Sequence, residues 1–327
     1  MNSPTTTVNC VLRHPRNPVL SAERIPYPAT LVFNAGVAKY QGKYVMVFRN
    51  DYGGRPGSSR FEGTNIGVAF SDDGIAWTPE PKPWIEWKTD EIRRAYDPRI
   101  TVIDGRCYLC LAVDTRHGIR GGVAVTDDFD KWEILSLSAP DNRNMVLFPE
   151  RNAGKFMRLE RPFPIYGRGA PENFDLWFSD SPDGVYWGNT QLVLGSEAVP
   201  WANSKIGPGA PPVRTREGWL AVFHAVTSDT DRELPAWHKG WHKTYTVGLI
   251  LLDHEKPWIV KGMYREPLMV PEEDYELEGF RGHTLFPGGM ILEPDGEVKI
   301  YYGAADTVVC LATAPVDDLI GLCLQNR

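Results

Sequence analysis

Short runs in which apolar and polar residues alternate recur along the chain, and each begins at a glycine turn. The clearest run occurs five times, as GKYVMVFRN, GRCYLCLAVD, GKFMRLERP, GWLAVFHAV and GEVKIYYGAAD. A second short apolar run precedes each of these and a third follows it. Alternation with a period of two is typical of β-strands. Each repeat therefore predicts three strands in meander order, and runs such as WEILSL and IVKGMY are candidates for a fourth.

Five such units predict a ring of sheets. A single meander has open edges and cannot bury both of its faces, whereas stacking the units around an axis solves both problems. The fold class expected is all-β: a single-domain five-bladed β-propeller over residues 1–327, with its site in the central funnel. The segment Val8–Leu12 is expected to complete the last blade. A β-sandwich with coincidental spacing is the alternative.

Composition supports this fold and narrows the classes of function. The chain has 327 residues, and its 11 Trp, 31 Gly and 27 Pro suit short strands joined by many turns rather than long helices. A net charge of −7 gives no sign of the basic surface that binds nucleic acid or an anionic membrane. Residues 1–20 lack the apolar core of a secretory signal, and five thinly spread cysteines favour a reducing compartment. We therefore expect a cytoplasmic protein with no nucleic-acid or membrane partner.

Two short patterns resemble metal or redox motifs but are better explained otherwise. Cys107 and Cys110 form a CxxC inside an apolar run without a turn, which indicates a buried strand. His238 and His242 are four residues apart in WHKGWH, but Gly240 between them argues for a loop, so no metal site is expected. Aromatic residues of this loop, Trp237 and Trp241, are candidates for stacking on a sugar or for a purely structural clasp.

Polar residues interrupt the apolar pattern at two recurrent places, the start of each first strand and the end of each second strand. In a propeller both places open on the same face of the ring, so the side chains are expected to converge there. They are Asn34, Asp97, Arg143 and Lys205 at the first place, and Arg49, Asn50, Asp51, Asp114, Arg161, His224 and Asp306 at the second. Spacing alone does not distinguish an enzyme from a lectin-like binding propeller. It also does not show whether these residues form a site or are ordinary solvated loop residues.

Several segments, in order, resemble glycoside hydrolase family 130, the β-mannoside phosphorylases and their hydrolytic relatives. The matching segments span residues 33–306 and are FNAGVAKY, FRND, YDPR, NRNMVLFPE, RLERP, NSKIGPGAPPV, VFHAV and YYGAAD. The resemblance implies a five-bladed propeller, in agreement with the repeat count. It also implies inverting phosphorolysis of a β-mannoside, with inorganic phosphate as co-substrate and no metal or organic cofactor.

The resemblance implies a role for each matching residue. Asp97 in YDPR would be the single catalytic acid, which protonates the glycosidic oxygen through the mannose 3-hydroxyl. The residues implied to hold the transferred mannose are Asn34, Arg49, Asn50, Arg60 and Asp306. Those implied to bind phosphate are Arg143, Arg161, Lys205, His224 and Tyr245.

One acid with several cations suits a phosphorylase. An inverting glycosidase needs a second carboxylate to activate water, whereas phosphate is already an anionic nucleophile and needs cationic donors to aim it. A β-mannoside hydrolase remains an alternative, since Asp306 with Asp51 or Asp114 could complete a set of carboxylates. A non-catalytic carbohydrate-binding propeller is a further alternative. The acceptor sugar, the choice between β-1,4 and β-1,2 linkages and homo-oligomer formation stay open.

Overall fold

The computed structural model describes residues 6–54, 61–163, 174–230 and 241–325. Almost all of its regular structure is β-strand. The strands are β1 (Leu12–Arg13), β2 (Leu31–Tyr40), β3 (Lys43–Tyr52), β4 (Gly63–Ser71), β5 (Thr78–Pro79), β6 (Ile92–Ile103), β7 (Arg106–Thr115), β8 (Gly118–Thr126), β9 (Glu133–Leu137), β10 (Asn142–Leu147), β11 (Phe156–Pro162), β12 (Leu176–Ser181), β13 (Gly188–Leu194), β14 (Lys205–Pro208), β15 (Val213–Arg214), β16 (Trp219–Ser228), β17 (Lys243–Leu252), β18 (Val260–Met263), β19 (Leu285–Leu292), β20 (Glu297–Ala304) and β21 (Val308–Pro315). The helices are α1 (Asp274–Leu277) and α2 (Val316–Leu324), with 3-10 turns at Ala22–Arg24 and Ser196–Ala198.

The strands form five antiparallel sheets, and the five-bladed β-propeller expected from the repeats is confirmed. Blade 1 has the strand order β2-β3-β4-β5, blade 2 has β6-β7-β8-β9 and blade 3 has β10-β11-β12-β13. Blade 4 has β14-β16-β17-β18, with β15 also paired to β16, and blade 5 has β19-β20-β21-β1. The fourth strand of each meander is thus present in every blade.

The core lies between neighbouring blades, and the period-two pattern places it there. In β7, Leu109 and Leu111 pack into the cluster shared with blade 1, whereas Tyr108 and Cys110 pack into the cluster shared with blade 3. Burial of each such apolar side chain contributes about 1.5–3 kcal/mol. Cys107 and Cys110 are buried in this strand, as their sequence context predicted, and burial raises the pKa of both thiols to about 12.

The N-terminal segment closes the ring, with a strand slightly further along the chain than predicted. Leu12 pairs with Thr313 of β21, so β1 completes blade 5. Val8 instead donates its backbone N–H to Leu268, and Val11 is buried in the cluster between blades 4 and 5. The apolar residues that suggested a strand are therefore used for packing. In the described part of the chain, no helix has the length and apolar character needed to cross a membrane.

Candidate active site

A repeated backbone feature aims polar side chains at the propeller axis. Asn34, Asp97 and Asn144 each lie at an irregularity in the first strand of blades 1, 2 and 3, with φ of 50°, 51° and 57°. Asn and Asp tolerate this left-handed conformation better than other residues with side chains, and a bulge re-aims the side chain that it carries. The local sequence thus explains why these three short polar residues occupy equivalent positions.

A cavity of about 420 Å³ opens at the axis, within the size range of small-molecule sites. It is strongly polar, and its described lining contains seven basic side chains against three carboxylates. The lining residues are Asn34, Arg49, Asp51, Phe61, Arg94, Tyr96, Asp97, Arg143, Asn144, Arg161, Lys205, Trp241, Lys243, Tyr245, Phe280, Arg281, Thr284, Phe286 and Asp306. Such an excess of positive charge favours an anionic ligand.

Asp97 is held by two donors on one carboxylate oxygen. The Asn34 amide donates to Asp97 Oδ1 at 3.0 Å, and Arg49 Nη1 lies 3.3 Å from the same oxygen. Arg49 is itself fixed by Asp51, with Nε–Oδ1 and Nη2–Oδ2 distances of 3.0 and 2.7 Å. Burial alone would raise the pKa of Asp97, but Arg49, Asn34 and the more distant arginines outweigh it and hold this pKa below its usual value.

Asp306 has the opposite electrostatic balance. It is 7% exposed, and burial raises the pKa of its carboxyl above the usual value even though Arg281 lies 3.2 Å away. Asp97 and Asp51 add to this rise because like charges disfavour ionisation. The pKa values of Asp97 and Asp306 are therefore shifted in opposite directions.

Three basic side chains, Arg143, Arg161 and Lys205, form a cationic cluster with no carboxylate partner among the described residues. Arg161 is 1% exposed, and its Nε and Nη2, like Nε of Arg143, make no hydrogen bond within the described part of the chain. Burial lowers the pKa of Arg161 to about 9, and repulsion from Arg143 contributes. Burial, then Arg161, lowers the pKa of Lys205 to about 6. Buried hydrogen-bond donors that lack partners favour the binding of an anion at this place.

His224 supports this cluster from behind. It is fully buried, and Arg161 Nη1 lies 3.1 Å from its Nε2. A guanidinium can only donate, so Nε2 accepts and the ring proton is on Nδ1. Burial, then the charges of Arg161 and Lys205, lowers the pKa of His224 well below its usual value, so the imidazole is neutral. Tyr245 stacks near this ring, at 6.0 Å between centroids.

The structure brings together most of the residues singled out from the sequence. Asn34, Arg49, Asp97, Arg143, Arg161, Lys205, Tyr245 and Asp306 all line the cavity. Arg143 lies near the start of β10. His224 lies behind Arg161 and is not among the described residues that line the cavity. Arg60 and Trp237 lie outside the described residues.

Asn50 is placed differently from the expectation. Neighbouring residues of a strand point to opposite faces, so Arg49 enters the cavity whereas Asn50 turns away from it. The Asn50 amide donates to the backbone oxygen of Pro28 and to Oδ1 of Asn65, each at 3.0 Å. In this structure Asn50 ties strands together and does not line the cavity.

Sequence reasoning did not assign a role to several lining residues. Tyr96 donates to Asp114 at 2.9 Å and lies 3.4 Å from Arg143 Nη1, and Asp114 also binds Arg94. Asn144 could have been recognised, because it has the same type and position as Asn34 and Asp97. Trp241, which the sequence offered as a candidate for stacking on a sugar, lines the cavity beside Phe280 and Arg281, and these two had no signal beyond composition. Arg281 lies 4.8 Å from the Trp241 ring.

The described residues contain no group of three or more His, Cys, Asp and Glu arranged to hold a metal ion. His242 of the WHKGWH segment lies in the described part of the chain, and His238 lies outside it.

Comparison with known proteins places this geometry in a family. A family model described as β-1,4-mannooligosaccharide phosphorylase, Glyco_hydro_130, matches residues 9–325. The β-1,4-mannooligosaccharide phosphorylase of Ruminococcus albus is 32% identical, over 98% of this chain and 92% of the relative. The β-1,2-mannobiose phosphorylase of Listeria innocua is 30% identical, over 78% of this chain and 67% of the relative.

A solved structure, of a β-1,2-mannobiose phosphorylase from Listeria innocua in complex with β-1,2-mannobiose, superposes with a TM-score of 0.82. The superposition covers 97% of this chain and 99% of that one at 24% identity, and it supports the propeller fold.

Proposed function

The chain belongs to glycoside hydrolase family 130, and we propose that it catalyses the inverting phosphorolysis of β-mannosides. The substrate class would be a β-1,4-mannosyl saccharide, such as mannosyl-glucose, mannosyl-N-acetylglucosamine or a manno-oligosaccharide. The products would be α-mannose 1-phosphate and the shortened acceptor. The observation that carries this proposal is the cluster of Arg143, Arg161 and Lys205, which lacks a described carboxylate partner and shares one cavity with Asp97.

In the proposed reaction an oxygen of phosphate attacks the anomeric carbon from the face opposite the leaving group. The bond to the glycosidic oxygen breaks, and this oxygen receives a proton that Asp97 supplies through the mannose 3-hydroxyl. Asn34, Arg49 and Asp306 lie around Asp97 or in the same cavity and are suited to hold the mannose hydroxyls. Phosphate would be aimed by guanidinium forks and by the Lys205 ammonium, which places the nucleophile without a general base.

The carboxylates available for hydrolysis are already engaged. Asp51 accepts hydrogen bonds from both Arg49 and Thr64, and Asp306 is paired with Arg281. A water-activating base needs a free carboxylate on the face opposite the acid. The two engaged carboxylates favour phosphorolysis over hydrolysis.

Phosphate would also help to protonate the acid. In the structure Asp97 has a lowered pKa because Arg49, Asn34 and neighbouring arginines, Arg143 among them, favour its ionised form over the effect of burial. A phosphate dianion on Arg143 would offset part of that positive charge, so the pKa of Asp97 would rise when phosphate binds. This rise is in the direction that a general acid needs.

The partners proposed are a small mannoside and inorganic phosphate, in a cytoplasmic enzyme that needs no metal or organic cofactor and that could act as a homo-oligomer. A sugar phosphate retains the energy of the glycosidic bond, which is useful inside a cell.

The test is to incubate the protein with β-1,4-mannobiose, mannosyl-glucose, mannosyl-N-acetylglucosamine and β-1,2-mannobiose, each with and without phosphate. The proposal expects consumption that requires phosphate and yields α-mannose 1-phosphate. Free mannose formed at the same rate without phosphate would instead show a hydrolase. Saturable sugar binding with no turnover would show a binding protein, and the preferred disaccharide identifies the linkage and the acceptor.

A further inference from the structure

Arg99 lies on β6 just beyond the bulge that carries Asp97, and its side chain is buried on the propeller axis. It is 3% exposed and forms no ion pair with any described carboxylate. Its guanidinium donates instead to backbone oxygens, from Nε to Gly209 at 2.7 Å, from Nη1 to Pro98 at 3.0 Å and from Nη2 to Pro287 at 3.2 Å. Removing a charge from water without a counter-ion is expensive, so this arrangement needs an explanation.

The acceptors of these hydrogen bonds belong to different blades. Pro98 is in blade 2, Gly209 follows the first strand of blade 4 and Pro287 is in the first strand of blade 5. A longer contact of 3.5 Å reaches the backbone oxygen of Asn34 in blade 1. The planar fork of arginine suits several acceptors at fixed angles, and here it joins the innermost strands of four blades.

Glycines allow the backbones to approach the guanidinium this closely. A Cβ atom on Gly36 would lie 2.8 Å from Cα of Arg99, and one on Gly288 would lie 2.2 Å from the backbone oxygen of Ala35. A Cβ on Gly209 would lie 2.7 Å from Cγ of Pro287. The inner strands therefore converge on Arg99 with no room for further side chains.

We propose that Arg99 is a positioning residue for the reaction: it closes the floor of the cavity and fixes the bulge from which Asp97 acts. This role rests on the proposed function for the identity of the acid. The bonds to Pro98 and the 3.5 Å contact to the backbone oxygen of Asp97 hold the peptide groups on which the acid is mounted. A lateral movement of the acid would require these bonds to change.

Arg99 also contributes a fixed charge beneath the acid. Burial lowers the pKa of Arg99 to about 10, so the side chain stays protonated at neutral pH. Its charge is one of those that hold the pKa of Asp97 down, after Arg49 and Asn34. Loss of the charge should raise the pKa of the acid, whereas loss of the fork geometry alone should not.

Two variants separate geometry from charge. Arg99→Lys keeps a basic group and loses the fork; Arg99→Gln removes the basic group and keeps a smaller planar donor. Arg158→Lys is the matched control, because Arg158 is also buried, at 6% exposed, but pairs with Glu160 outside the central cavity. For each we would measure the thermal midpoint and the pH profile of kcat/KM on whichever disaccharide wild type cleaves, and the rate on 4-nitrophenyl β-mannoside with phosphate.

Arg99→Lys should lose about 100-fold on the disaccharide, the scale of a misplaced general acid. It should lose much less on the aryl mannoside, whose leaving group needs little protonation. Activity falls as pH rises through the pKa of a general acid, so Arg99→Gln should move the alkaline limb to higher pH. Arg158→Lys should affect both substrates alike.

Equal losses on the two substrates in Arg99→Lys, or an unmoved alkaline limb in a folded Arg99→Gln, would overturn the proposal. Arg99→Gln could fail to fold, and the aryl mannoside could prove not to be a substrate. In either case the deciding measurement is the rate of folded Arg99→Lys on the disaccharide, compared with that of Arg158→Lys. A loss no larger than that of Arg158→Lys overturns the proposal. The dependence of the reaction on phosphate is measured with the wild-type protein alone. A hydrolytic wild type would refute the proposed function and leave the comparison of variants valid.

Discussion

Binding of phosphate at pH 8 should take up close to one proton per site, and Lys205 should be the residue that receives it. In the structure its Nζ lies 5.4 Å from the ring centroid of Tyr245 and 5.9 Å from that of Phe174, and it forms no ion pair with a carboxylate among the described residues. Burial, then the charges of Arg161, Lys243 and Arg143, lowers its pKa to about 6. At pH 8 about one site in a hundred then carries the proton.

A phosphate dianion at ion-pair distance would reverse this balance and raise the pKa of Lys205 towards the value of an ordinary lysine, about 10.4. Nearly every site would be protonated in the complex at pH 8, which gives an uptake of about 0.9–1 proton. At pH 6 Lys205 itself should take up only about half a proton, because half of the empty sites are already charged. Phosphate is mainly the monoanion at that pH and releases about one proton when it binds as the dianion, so the net uptake should disappear. Affinity for the dianion should accordingly fall about tenfold for each pH unit above 7, until the pKa of the complex is reached.

Isothermal titration of phosphate in two buffers of different ionisation enthalpy measures this uptake directly. At pH 8 inorganic phosphate is almost wholly dianionic, so its own ionisation adds little. Lys205→Arg is the matched control, since a guanidinium stays charged in the empty site and should bind phosphate without proton uptake. Lys205→Met should bind weakly, and the phosphate KM should rise. Zero uptake by the wild type, or equal uptake by Lys205→Arg, would refute the reasoning.

Three further substitutions, the last with a matched control, test other parts of the molecule. Asp97→Asn should lower kcat on an unactivated mannoside at least 100-fold while the thermal midpoint changes little; retained activity would remove this residue from the role of acid. Asp51→Asn should raise the KM for the mannoside and lower kcat, because Arg49, which contacts Asp97, loses the carboxylate that binds it through two hydrogen bonds. An effect on the phosphate KM alone would contradict this. Arg13→Met should reduce the free energy of unfolding in urea by about 3–5 kcal/mol, since it leaves Glu276 buried without its cation. Arg106→Met, at an exposed pair, should cost under about 1 kcal/mol, and equal losses would argue against burial as the cause.

The fold could be predicted from the sequence because its information is local and repeated. Each glycine turn and each alternating run specifies a hairpin, and five copies leave few arrangements other than a ring. The exact position of the closing strand was not predictable from the same pattern. Val8 and Val11 have the apolar character of a strand but are used for packing, and only tertiary contact with β21 selects Leu12–Arg13.

Site residues were predictable from the sequence where a polar residue stood at the start of a first strand or the end of a second strand. Other residues of the site were harder to predict. Asn50 was grouped with Arg49 because both end the same strand, although the pleat turns neighbouring side chains to opposite faces. Arg99 was overlooked because its acceptors are backbone oxygens distant in sequence, which leave no pattern in side-chain types. His224 lies beside the cationic cluster, but its burial behind Arg161 depends on the packing of blades 3 and 4 and was not predictable.

The seam between β1 and β21 has a consequence for how the molecule assembles. It joins residues nearly the whole chain apart, and the adjacent hydrogen bond between Asn17 and Leu311 joins residues that differ by 294 in number. Contacts of such separation form late in folding, because the intervening chain must first be ordered. Until then β21 is an unpaired edge, the kind of surface on which strands of other molecules add. The short segment that closes the ring therefore also protects newly folded chains from aggregation.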